Sequence, residues 1–151
     1  MKKKLPNEIR VMHSAFEDKP VHIANYTISG SNRHYWEIGE LTEHDVCELV
    51  YQSTQNVNDS WSNPDCVGEY DTNVDNDPNI DVLVPLSELP DGKKMGHRST
   101  SMGDTVVFVY NNDNGNTKHH WKCEAVGWSK WFDSGYVKND HLKSKYEKGA
   151  A

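Results

Sequence analysis

The chain has 151 residues, enough for one domain with its own core. Its 23 acidic and 16 basic residues give a formal charge of −7, which argues against general binding to duplex nucleic acid, whose phosphates would repel it. Cys47, Cys66 and Cys123 are widely spaced and odd in number, and no apolar run reaches the length of a membrane span or follows the N-terminal lysines as a signal peptide would.

These features disfavour a disulfide framework and a membrane anchor. They predict a soluble cytoplasmic protein with reduced thiols. Only 35% of the residues are hydrophobic, so a modest core and extensive loops are expected.

The basic residues 1–5 read as a mobile tail. Residues 9–16 fit either a strand or a short helix. Residues 21–28 alternate well enough for a strand with both faces partly covered. Residues 29–32 form a turn cluster, and residues 33–38 are the predicted partner strand of an N-terminal hairpin.

Residues 41–54 make the principal helix. Thr42 can accept from the first-turn N–H groups, and Asp45 stands three residues on, the spacing of a capping box. Glu43 and Asp45 suit the positive end of the helix. Val46, Leu49 and Val50 line one side at helical spacing.

Residues 55–79 form a long acidic loop rich in Asn, Asp, Ser, Pro and Gly, which Trp61 and Tyr70 would pin to the core. Residues 80–86 return to a strand, ended by Pro85. Residues 90–92 are a turn.

The strongest signal lies between His97 and Trp131. Residues 105–110, TVVFVY, read as a strand covered on both faces. Residues 111–118 contain Gly115 among Asn and Asp and let the chain reverse through a loop longer than two residues. The return strand spans residues 119–126, with Trp121, Cys123 and Ala125 on one face and His120, Lys122 and Glu124 on the other. Residues 133–136 are a further turn. A Lys-rich tail, residues 138–151, holds a short helix around 141–147.

The expected fold is therefore one α+β domain. It is mainly antiparallel sheet curled into a small open barrel, with one principal helix.

Charge is segregated. Residues 40–91 contain no Lys or Arg, but 13 acids. Such a field either keeps a face solvated or docks on a basic partner. The residues assigned to partner binding are Asp59, Asp65, Glu69, Asp71, Asp75 and Asp77, with Arg98 and Asp104 if the RSTSMGD segment is a binding loop rather than a shaped turn. A competing composition is Tyr110, Trp121, Trp128 and Trp131 with Lys122, which suits stacking of single-stranded nucleic acid. The same rings more often build a core.

Other chemistry is poorly supported. Asp71, Asn73 and Asp75 match the first ligand positions of a calcium loop, but Asn76 replaces its glycine and Val82 its closing glutamate. His119 and Cys123 lie too far apart along one strand for a shared zinc, and His119 and His120 point oppositely. No nucleophile elbow, phosphate loop or HExxH sequence is present. No metal, cofactor or catalytic residue is assigned, and the protein is expected not to be an enzyme.

The pattern Val50-Tyr51 … Thr54-Gln55-Asn56 … Ser60-Trp61, then His97 to Val107 with RSTSMGD, then Cys123 … Val126-Gly127-Trp128, resembles a group of small uncharacterised proteins of tailed bacteriophages. The resemblance covers residues 50–131 and not the first forty. It implies a phage origin and carries no activity or functional residues. The function expected is that of a non-enzymatic phage accessory protein in the host cytoplasm, binding a host or phage protein through the acidic surface. The alternatives are a single-strand-binding module and a structural virion component.

Overall fold

A computed structural model describes residues 2–56, 61–62, 79–92, 94–132 and 135–138. Among them the elements run β1 (Glu8–His13), β2 (Val21–Tyr26), α1 (Gly30–Glu37), α2 (Glu43–Ser53), β3 (Ile80–Val82), β4 (Ser87–Glu88), β5 (Lys94–Met95), β6 (Thr105–Asn112), β7 (Gly115–Cys123), β8 (Trp128–Phe132) and β9 (Gly135–Lys138). Seven strands form one antiparallel sheet in the order β3-β2-β1-β6-β7-β8-β9. A separate two-stranded ribbon pairs β4 with β5.

The α+β class is as expected, but the sheet is not closed into a barrel. Among the described residues strands β3 and β9 are its two edges. The helices supply the second layer that closure would have made unnecessary, and among the described residues there are two of them where one principal helix was expected. Trp36 of α1 stacks on Phe108 of β6, with ring planes 16° apart and centroids 6.4 Å apart. Val46, Cys47 and Val50 of α2 are fully buried in the same cluster. Burying such side chains contributes about 1.5–3 kcal/mol each.

α2 has the predicted cap. The Thr42 hydroxyl accepts from the Asp45 N–H at 3.2 Å, and the Asp45 carboxylate accepts from the Thr42 N–H at 2.9 Å. Residues 33–38 correct the sequence reading: they belong mostly to α1 instead of a strand. Both edges of β2 are taken, by β1 on one side and β3 on the other, so no edge remains for 33–38 to pair with. Trp36 is the one buried residue of α1.

The central hairpin also differs. Its loop is two residues, Asp113 and Asn114, closed by the Asn112–Gly115 pair. Gly115 has φ +123°, a conformation that side-chain-bearing residues rarely adopt. Residues 115–118 are strand although all four are exposed, and the return strand stops at Cys123. The strand over 80–86 is shortened to β3. The predicted 141–147 helix lies outside the described residues.

Candidate functional site

Arg98 and Asp104 are fastened to each other. The guanidinium donates from Nη1 to Asp104 Oδ2 at 2.6 Å and from Nη2 to Oδ1 at 2.8 Å. Asp104 is fully buried and also accepts the backbone N–H groups of Ser14, Ala15 and Ser101 at 2.8–2.9 Å. Burial pushes its pKa up, but the Arg98 bond and these N–H groups prevail and hold it below the usual range. Arg98 spends its remaining donors on Glu17, at 2.7 and 3.1 Å, and on the Ser99 carbonyl at 2.9 Å.

Neighbouring hydroxyls complete the turn. Thr100 accepts from Thr54 at 2.7 Å and lies 3.1 Å from His13 Nε2. Ser99 accepts the Asn56 N–H at 2.8 Å. Trp61, buried, donates its ring N–H to the Arg98 carbonyl at 2.8 Å. The RSTSMGD segment thus locks the β1–β2 loop and the end of α2 to the start of β6.

Asp59, Asp65, Glu69, Asp71, Asp75 and Asp77 lie outside the described residues, as do Tyr70 and most of the calcium-like stretch. Among the described residues no group of three His, Cys, Asp or Glu side chains is placed to hold a metal.

The aromatic set divides. Trp121 and Trp128 are buried in the core. Tyr110 points inward and donates its phenol to Glu43 at 2.6 Å. Only Trp131, 47% exposed, presents a ring to solvent. Lys122 lies near it, its ammonium 4.4 Å from the centre of the Tyr136 ring.

Glu43 is the residue that sequence reasoning missed. It begins α2, and its carboxylate takes four donors: Tyr110 and His119 Nδ1 on Oε2, Trp121 Nε1 and Lys130 Nζ on Oε1, at 2.6, 2.7, 2.9 and 3.2 Å. Burial alone would raise its pKa. The His119 bond, the Lys130 charge and the Tyr110 and Trp121 bonds outweigh burial and lower it to about 2. A carboxylate so saturated is an anchor joining helix to hairpin and is poorly suited to accept a proton. A signal for it existed. Tyr110, His119 and Trp121 fall on the core face of the hairpin, and buried ring N–H and O–H groups require an acceptor.

An open concavity beside α2 combines apolar lining with acidic charge. It measures about 400 Å³ and lies between α2, the Met102–Gly103 corner and the β7–β8 turn. Cys123 and Trp128, both buried, form its floor. Tyr51 and Met102, 37% and 60% exposed, line its walls. Among the described residues Glu48 and Glu124 are its charged lining, and Glu124 has the Lys122 ammonium 3.5 Å away. Burial raises the Cys123 pKa to about 11, so the floor thiol stays protonated and apolar.

Among the described residues the fold is thus an antiparallel sheet with two helices on one side. No family model, curated protein or solved structure matches the chain. No helix among the described residues is long and apolar enough to cross a membrane.

Proposed function

We propose that the protein is a non-enzymatic accessory protein that binds a segment of another protein at its acidic side. The resemblance of residues 50–131 to tailed-phage proteins supports a phage setting, with a host or phage protein in the host cytoplasm as the partner. The observation that carries the reading is the concavity of Glu48, Tyr51, Met102 and Glu124. Its occupant is an apolar side chain flanked by Lys or Arg. The apolar side chain covers Trp128 and Met102, and the cation meets Glu48 and Glu124. Burying one aliphatic side chain there is worth about 1.5–3 kcal/mol, and the rim charges chiefly set orientation and on-rate.

Glu48 belongs to the stretch without a single cation. The charge segregation of the sequence therefore reaches a described surface at this point. Selection of a random peptide display library on the full chain tests the proposal. The expected consensus joins a Leu, Ile or Phe to a neighbouring Lys or Arg. Calorimetry on that peptide should lose about tenfold or more in affinity with Met102→Asp or Glu48→Lys, a change of at least about 1.4 kcal/mol. A consensus without a basic residue, or binding indifferent to both substitutions, refutes it.

A further inference from the structure

The sheet has a second face whose chemistry differs from the rest of the molecule. Antiparallel partners project to the same side. The register therefore aligns Arg10, Val107 and His120 in one row, and Thr105, Lys122, Ser129 and Lys138 in the next. Val107 and Val109 are buried yet stand outside the core cluster, which occupies the opposite side of the sheet. Both helices lie on that core side, through Trp36 on Phe108 and Glu43 on Tyr110, His119 and Trp121. Among the described residues no helix covers the second face.

Along β7, Lys118, His120 and Lys122 project from this face in alternation, over about 13 Å. Lys138 continues the row on β9, and Lys118 and Lys138 are both exposed. His120 stands between Lys118 and Lys122, and burial and then the Lys118 charge push its pKa down. Arg10 and Lys122 have carboxylate neighbours, Glu8 at 3.2 Å and Glu124 at 3.5 Å, which leaves Lys118 and Lys138 as the principal cations.

Beside them stands the exposed aromatic pair. Trp131 on β8 faces Tyr136 on β9, with centroids 5.0 Å apart and planes at 68°. Lys122 caps the Tyr136 ring, and nearly half of the Trp131 surface meets water. A braced, half-exposed indole next to a row of lysines is the combination that single-stranded polynucleotides need: cations for phosphates and a flat ring for a base. Duplex bases, held within their stack, cannot reach such a ring.

We infer that this second face of the sheet binds single-stranded nucleic acid, with Lys118, Lys122 and Lys138 along the phosphates and one base stacked on Trp131. This site meets the acidic concavity only at the Lys122–Glu124 pair, 3.5 Å apart, and the inference does not depend on the concavity being a binding site.

The test is fluorescence anisotropy of a labelled oligothymidine about twenty nucleotides long, titrated with the full chain at roughly 50 mM salt. Binding should weaken as salt rises, with a log–log slope near −2 for about three phosphate contacts. Trp131→Ala should weaken binding about tenfold, and Trp131→Phe should largely restore it. Lys118→Glu with Lys138→Glu, both at exposed positions, should abolish binding at the same salt. Met102→Asp, on the other side of the molecule, should leave it unchanged. Absence of binding at low salt, Trp131→Ala binding like the parent, equally tight binding of a duplex, or loss with Met102→Asp would each overturn the inference.

Discussion

Glu43→Gln removes a charge and leaves the shape of the side chain. The carboxylate offers two oxygens to four donors. The amide offers one oxygen and turns an NH2 group on the remaining pair. Lys130 and His119, with side chains 23% and 35% exposed, can turn to water, whereas Trp121 is buried and cannot. A hydrogen bond to a charged group is worth about 1.5–3 kcal/mol, and a buried donor left alone costs about 1–3 kcal/mol. A net loss near 3 kcal/mol follows. The proton equilibrium, shifted by the same contacts, leads to a similar figure. The Glu43 carboxyl sits at a pKa of about 2 when folded, against about 4.3 in a free chain, and each tenfold change is about 1.4 kcal/mol.

Because the folded pKa is the lower one, this stability is complete above about pH 4.3 and disappears as pH falls towards 2. The assay is urea unfolding followed by tryptophan fluorescence, on both proteins, from pH 7 to pH 2. At pH 7 the variant should be less stable by about 3 kcal/mol, with Tm lower by roughly 6–12 °C for a chain of this size. The gap should then narrow between about pH 4.3 and 2. Other carboxylates titrate in both proteins and cancel in the difference. A gap below about 0.5 kcal/mol at pH 7, or one that does not change with acid, would refute the view that Glu43 is an ionised anchor.

Two further outcomes are expected. His13 is fully buried, and burial lowers its pKa to about 4 against the attraction of Asp104. Its contribution is present above about pH 6.5 and is lost as pH falls through 4, so His13→Gln should flatten the stability profile across that interval in the same unfolding series. Trp128→Ala should cost about 3–5 kcal/mol by emptying a core site, whereas Trp131→Ala should stay within about 1 kcal/mol. Equal losses for the two, measured by calorimetric melting, would contradict the division of rings between core and surface.

What could be read from the sequence follows the range of the forces involved. The helix α2 was legible because Thr42 and Asp45 encode its start within four residues. Strand β6 was legible because TVVFVY has no other comfortable conformation. Residues 33–38 failed because their choice depends on whether β2 has a free edge, and β3, more than forty residues later, takes it. Residues 115–118 failed for the opposite reason. They extend past the core, so solvent and not periodicity chose their side chains, and the strand shows only in its backbone pairing. Glu43 read as an ordinary first-turn acid because its partners come from β6, β7 and β8. Arg98 and Asp104 were read as partner-binding residues if their segment is a binding loop, but the fold engages them with each other and also with Glu17 and the backbone of residues 14–15, partners that lie more than eighty residues away in sequence.

The overall charge of −7 argued against nucleic acid, and it remains a poor guide to either surface of this molecule. Charges act over a screening length of about 8–10 Å in ordinary salt. A helix with its side chains is about 10–12 Å across. The outward acids of α2 therefore lie about one helix diameter beyond the sheet and contribute little to the field over Lys118 and Lys138. Conversely, those lysines do little to neutralise Glu48 at the concavity. The two faces of the sheet thus carry different local fields, which meet at the Lys122–Glu124 pair and which a net charge averages away. A raised salt concentration should weaken binding at both, but the substitutions that abolish one should leave the other intact.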